Sequence, residues 1–309
     1  MAPRNDSSSS ASPSGQQFEI GWGGHHAVIT EVGASLRVYS VDGRDVVVPF
    51  GATEISPAYH GAILLPWPNR LGDGTYSFDG AAHQLALNEP ERRTAIHGLV
   101  AWERWSLREQ SDSHVQLGLA LVPTPGYPFA LESAITYELT DAGLGVSLTT
   151  TNVGPVDAPY GVGFHPWLSP GPGSLDDCVL TLPADTWIPT DDRLLPTGQQ
   201  PVPAALDFRQ PRVLGTTVLD DAFVDVTHID GRSRLLLTGA DRRTVVAWMD
   251  RSLMAWQVCT GDDMDVEHRR RGFAAEPMTC VADAFRTGER LLRLSPNDQH
   301  TVTWGLALQ

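Results

Sequence analysis

Val115-Gln116-Leu117-Gly118-Leu119-Ala120-Leu121 and Leu144-Gly145-Val146-Ser147-Leu148-Thr149-Thr150 decide the fold class. In both, large apolar side chains recur at every second position, the period of a half-buried strand rather than of a helix. His26-Ala27-Val28-Ile29-Thr30 and Val46-Val47-Val48 read as further short strands. Turn signals punctuate the runs: Val41-Asp42-Gly43-Arg44, Phe78-Asp79-Gly80, Thr140-Asp141-Ala142-Gly143, Asn152-Val153-Gly154-Pro155 and Ile229-Asp230-Gly231. With 29 glycines and 23 prolines spread throughout, only short helices are expected, for instance near Ala101 to Arg108. There is no βαβ alternation and no repeat of 20 to 50 residues, which disfavours Rossmann, TIM-barrel and propeller architectures. The expectation is an all-β fold, a large antiparallel β-sandwich whose loops carry the function. Residues 1–16, opening on a serine-rich stretch, read as a disordered tail, and residues 17–309 as one β-sandwich domain. Pro196 to Pro211 reads as a surface excursion within it.

Composition narrows the function. The chain has 309 residues, 22 basic and 37 acidic, for a net charge of −15. All the basic residues are arginine, which excludes Schiff-base chemistry and lysine-dependent phosphate loops. The acidic field opposes nucleic acid and anionic lipid as partners. Mean hydropathy is −0.16, and no stretch approaches the ~20 apolar residues of a membrane helix. Cys178, Cys259 and Cys280 form no C-x-x-C spacing and read as free thiols in a reducing, cytoplasmic setting.

G-x-S-x-G, H-E-x-x-H and G-x-G-x-x-G are all absent. The run Asp262-Asp263-Met264-Asp265 lacks the spaced ligands of a calcium loop and reads as a solvated turn, so no metal is expected. Four other segments set polar groups in apolar, Gly/Pro-rich surroundings. They are Pro66-Trp67-Pro68-Asn69-Arg70, Ala95-Ile96-His97-Gly98-Leu99, Tyr160-Gly161-Val162-Gly163-Phe164-His165-Pro166-Trp167 and Phe273-Ala274-Ala275-Glu276-Pro277-Met278. Trp67 and Trp167 offer ring faces for the C–H side of a sugar, while Asn, Arg, Asp and His suit its hydroxyls. A lone histidine is most often a satisfied core residue, but a carboxylate in an apolar run, as at Glu276, demands a partner. These residues point to an acid–base site for a polar, ring-containing ligand.

In order and spacing, Asn69-Arg70, His97-Gly98, His165-Pro166-Trp167, Leu219-Asp220-Asp221-Ala222-Phe223 and Glu276 with Asp283-Ala284 resemble the aldose 1-epimerase (galactose mutarotase-like) family. The resemblance runs from about Phe18 to the C-terminus. It implies the galactose mutarotase-like supersandwich, a small-molecule sugar substrate and no cofactor. Glu276 is then the general base that takes the anomeric hydroxyl proton, His165 the acid that protonates the ring oxygen, and His97 its supporting histidine. Arg70 and Asp220, with Asn69 beside them, hold sugar hydroxyls; Asp220 is preferred to Asp221, which stands where many members have histidine. The segments Glu276-Pro277-Met278 and His97-Gly98-Leu99 depart from the usual E-T-Q and H-G-G patterns, so the chain resembles a divergent bacterial branch for which galactose specificity is not implied. The expected activity is interconversion of the anomers of a free aldohexose. The alternatives are a hexose-6-phosphate 1-epimerase using Arg92-Arg93 or Arg269-Arg270-Arg271, a non-catalytic sugar-binding protein, and a glycoside hydrolase with a carboxylate pair. Sequence does not distinguish monomer from dimer.

Overall fold

The computed structural model describes residues 12–309; residues 1–11, most of the expected tail, lie outside the described residues. Residues 12–16 are packed onto the fold. Ser14 is buried, its hydroxyl donates to Ala52 O at 2.5 Å, and the Gln16 amide donates to Glu31 Oε2 at 2.9 Å.

Two large antiparallel sheets dominate. One has nine strands, with Leu131–Thr140, Gly143–Asn152 and Gln299–Leu308 near its centre. The other has eight, including Ala184–Ile188, Asp220–Val226, Ala255–Cys259, Phe273–Met278, Gly163–Phe164 and Ile63–Leu64 in that spatial order. Their inner faces share one apolar core: Leu148 and Trp304 of the first meet Phe164, Trp256 and Phe273 of the second, with Phe164 5.2 Å from Trp304 between ring centres. Fully burying a side chain of this kind contributes about 1.5–3 kcal/mol, which holds the register of the strands that face this core. A four-stranded sheet over Gln17–Asp45 flanks them.

The Asp-Gly turns form as their chemistry dictates. Asp42-Gly43 and Asp79-Gly80 both have positive φ at the two central residues (51° and 77°; 48° and 79°), the type I′ geometry of two-residue hairpins. Two expectations fail. Residues 101–108 form no helix but a turn running into strand Ser106–Gln110, because the open edge of His114–Leu121 recruits that backbone, with Ser106 opposite Gly118. Val46–Val48 is no strand; Val47 alone bridges to Leu168. The one α-helix among the described residues is Ala284–Thr287. The stretch 196–211 stays largely at the surface, anchored by buried Phe208.

The centre of the eight-stranded sheet is buried on both faces. Phe223, Trp256, Val258, Phe273 and Ala275 belong to the main core, whereas the alternate residues Ala222, Val224, Ala255 and Met278 form a second cluster on the opposite face. That second face is the floor of a cleft.

Candidate active site

Strand register builds the cleft floor. Glu276 is opposite Gln257, which is opposite Ala222; Trp167 is opposite Ala274, then Cys259, then Asp220. Paired residues share a face and so do residues two apart, so Glu276, Gln257, Asp220 and Trp167 all point to one side. Asp221 points away, accepting from Trp187 Nε1 at 2.7 Å. The two aspartates are thus sorted by parity alone.

The second wall is the short ladder Arg70–Gly72 with Thr94–Ile96. Asn69 precedes it on one side and His97 follows on the other, both with left-handed backbone (φ 56° and 65°). The two residues exchange bonds. The His97 amide donates to Asn69 O at 3.0 Å, and the Asn69 amide donates to His97 Nδ1 at 3.2 Å. With Nδ1 an acceptor, a neutral His97 must carry its proton on Nε2. Burial, with His165 and Arg70 nearby, holds His97 well below the usual histidine range, which favours that neutral form.

These walls enclose a cavity of about 250 Å³ lined by Tyr59, Asn69, Arg70, Glu89, His97, His165, Trp167, Asp220 and Glu276 among others. Ligand pockets run ~300–1,000 Å³, so this one suits a single ring rather than a chain. At its base His165 Nε2 lies 3.5 Å from Glu276 Oε1, and both residues are almost wholly buried. Glu276 Oε2 and His165 Nδ1 are buried with no partner among the described residues. Desolvation pushes Glu276 well above the usual carboxylate range, reinforced by Asp220 and opposed by Arg70. Desolvation, with His60 and Arg70, brings His165 down to about 3. Burial therefore favours a pair holding one proton, which both shifts place on Glu276; its transfer across the 3.5 Å contact gives the ionised Glu276 and protonated His165 that a base and an acid require.

Arg70 closes one side. Its Nε and one terminal nitrogen engage both Glu89 oxygens at 2.9 and 3.0 Å, and the other terminal nitrogen is 3.8 Å from Asp220 Oδ2. Gln257 Nε2 donates to Asp220 Oδ1 at 2.8 Å. Burial raises the Asp220 carboxyl, with Arg70 opposing. Tyr59 packs edge-on to His97 at 4.6 Å between ring centres, and Trp167 stacks on His165 at 5.8 Å.

Of the residues singled out from sequence, Glu276, His165, His97, Arg70, Asp220, Asn69 and Trp167 meet here. Trp67 does not: it is absent from the cavity lining and belongs to the main core, packed on Phe285 with Nε1 donating to Ala95 O. Its ring fills the core, correcting its assignment to the sugar. Glu89 and Tyr59 were not anticipated; Glu89 stands three residues before Arg92-Arg93, a pair weighed from sequence only for phosphate. The consecutive arginines do not converge on the cleft. Arg270 is tied to Asp176 and Asp262, Arg93 to Asp73, and Arg92 to Glu89.

Residues 16–306 match the family profile described as aldose 1-epimerase. The chain is 34% identical over 295 residues to uncharacterized protein YihR of Escherichia coli K12, covering 95% of this chain and 93% of that one. It is 30% identical to human galactose mutarotase over 198 residues, 60% of this chain and 57% of that one. Among solved structures, the GalM/aldose epimerase homologue of C. elegans superposes with a TM-score of 0.84 at 18% identity, over 95% of this chain and 98% of that one.

Proposed function

The chain belongs to the aldose 1-epimerase family, and from that premise we propose that it interconverts the α and β anomers of a free aldohexose by acid–base opening and closure of the ring. The observation that carries this reading is the buried Glu276–His165 contact of 3.5 Å on the cavity floor. The anomeric hydroxyl and the ring oxygen are bonded to the same carbon, so the base and acid that serve them must be close together. Glu276 takes the O1 proton while His165 protonates the ring oxygen; the C1–O5 bond breaks and C1=O1 forms. Glu276 Oε2, which lacks a partner, is the oxygen free to accept that proton. The aldehyde rotates about C1–C2, O5 attacks the other face, Glu276 returns its proton to O1, and His165 recovers its own. Protons and charges balance with no external donor.

The remaining residues bind and orient. The 3.8 Å gap between Arg70 and Asp220 Oδ2 suits a sugar hydroxyl, which accepts from the guanidinium and donates to the carboxylate. His97 Nε2–H is available as a donor beside the ring oxygen, and Trp167, stacked on His60 and His165, contributes an apolar border to the cavity. The three cysteines are unpaired, in keeping with the cytoplasmic setting expected from sequence.

The test is Glu276→Gln. Gln keeps the shape and still hydrogen-bonds but cannot act as a base. Anomer exchange measured by two-dimensional NMR on a panel of aldoses should fall by about 10²–10⁴-fold, with sugar affinity retained. Exchange at the wild-type rate would show that Glu276 is structural and end the assignment.

A further inference from the structure

We propose that Glu89 is a positioning residue of this site, clamping the Arg70 guanidinium in the one orientation that leaves a single edge for the sugar hydroxyl. The inference rests on the reading of Arg70 as a sugar contact. Glu89 is 8% exposed, yet its carboxylate receives four donors. Oε2 accepts from Arg70 Nε at 2.9 Å and from the Thr94 hydroxyl; Oε1 accepts from Arg70 at 3.0 Å and from Arg92 at 3.1 Å. The Arg70 contact is bidentate, which fixes the plane of the guanidinium as well as its distance. The third nitrogen then faces Asp220 across the pocket.

Glu89 is itself held in place by backbone. Its amide and carbonyl pair with those of Thr94 at 3.2 and 3.1 Å, and Thr94 begins the strand paired to Arg70–Gly72. The clamp and the residue it holds are thus built on one ladder, whose far end carries His97. A second catalytic carboxyl beside Glu276 is the competing role. It fits poorly, because Arg70 and Thr94 hold Glu89 below the usual carboxylate range despite its burial, and all four donors stabilise the ionised form. A carboxylate so held has no proton to give, and its oxygens are occupied by donors.

Three consequences distinguish a clamp from a fold brace. In Glu89→Gln one acceptor becomes an NH₂ facing an N–H donor, so Arg70 loses its bidentate partner. KM should rise about tenfold or more while kcat changes less than threefold, because Arg70 binds hydroxyls in the ground and transition states alike. Glu89→Asp, which keeps the charge, should recover part of the KM. The Arg70 Nε–H resonance, assigned through Arg70→Lys, should be shifted and slow to exchange in the wild type and should collapse toward free-arginine values in Glu89→Gln.

An unchanged KM, a loss confined to kcat, or an unaltered Arg70 resonance each overturns the proposal. If wild-type protein exchanges no sugar of the panel, the proposed function fails on its own, and the resonance still decides whether Glu89 holds Arg70. Should Glu89→Gln not fold, the same KM and resonance measurements on Glu89→Asp decide it, with a wild-type KM and resonance counting against the clamp.

Discussion

Acidification from pH 7.5 to 5.0 should destabilise the protein, and His60 should account for about 2 kcal/mol of the loss. His60 is 4% exposed, stacks on Trp167 with ring centres 4.8 Å apart and planes 11° from parallel, and meets Phe50 edge-on. Its Nδ1–H donates to Pro57 O, fixing a neutral tautomer. Burial, helped by His268 and opposed by the Pro57 bond, brings its pKa down to about 4 from the ordinary 6.5. Between those two values the unfolded chain binds a proton that the folded protein refuses. Stability from this group is therefore complete above pH 6.5 and declines as pH falls toward 4. The 1.5 units between 6.5 and 5.0, at ~1.4 kcal/mol per unit, give the stated magnitude. Urea unfolding of wild type and His60→Asn, followed by fluorescence at both pH values, tests it. The variant loses the Trp167 stack and should be less stable at either pH. Its further loss on acidification should be smaller than that of the wild type by about 2 kcal/mol. An equal acid-dependent loss in both proteins would refute the reasoning, since His60 would then titrate alike folded and unfolded.

His165→Asn should lower kcat more than it raises KM, and His97→Asn should be the milder change, read by anomer exchange; a more damaging His97 would mean the two roles are exchanged. Wild-type kcat/KM should not fall as pH is lowered from 7 to 5, because the pair takes its second proton only when His165 protonates near 3; a decline centred at 6.5 would contradict the one-proton pair. No group of three or more His, Cys, Asp or Glu suited to a metal occurs among the described residues, and exchange activity should survive exhaustive EDTA; loss with recovery on added divalent ion would disprove it. Neutral hexoses should be turned over with higher kcat/KM than their 6-phosphates, since Arg92, Arg93 and Arg270 are paired with carboxylates and none of the consecutive arginines lines the cavity; a tenfold preference for the phosphate would reverse the substrate class.

The strands were readable wherever one face meets the core and the other meets solvent. His114–Leu121 and Gly143–Asn152 are of that kind; the alternation holds from Leu144 through the second strand and slips in the first only at Gly118-Leu119, where the glycine is buried and the leucine half-buried. The central strand Phe273–Met278 is buried at every position, so periodicity identifies nothing there. What did mark it was Glu276, a carboxylate in an apolar run. The expected helix near Ala101 failed for the opposite reason: Ser106–Gln110 is fully exposed, and its conformation comes from a partner strand, about which its own residues say nothing.

The site divides along the same line. Residue type in an unusual setting signalled Glu276, His165, His97 and Arg70, but parity of pairing decides which neighbours share their cleft. Trp67 and Trp167 are both tryptophans preceded by proline near a polar residue, and nothing local separates them. Trp167 is opposite Ala274, two residues from Glu276, so the period of two delivers its ring to the face of the base. Asp220 and Asp221 are separated by the same parity, through Cys259 and Val258. Glu89 lacks even a compositional signal, because its burial is created by the bridge to Thr94 and by Arg70, which needs a bidentate partner to be buried at all. A residue that works through another leaves its trace in the register of the fold, and Glu89→Gln is the substitution that reads it.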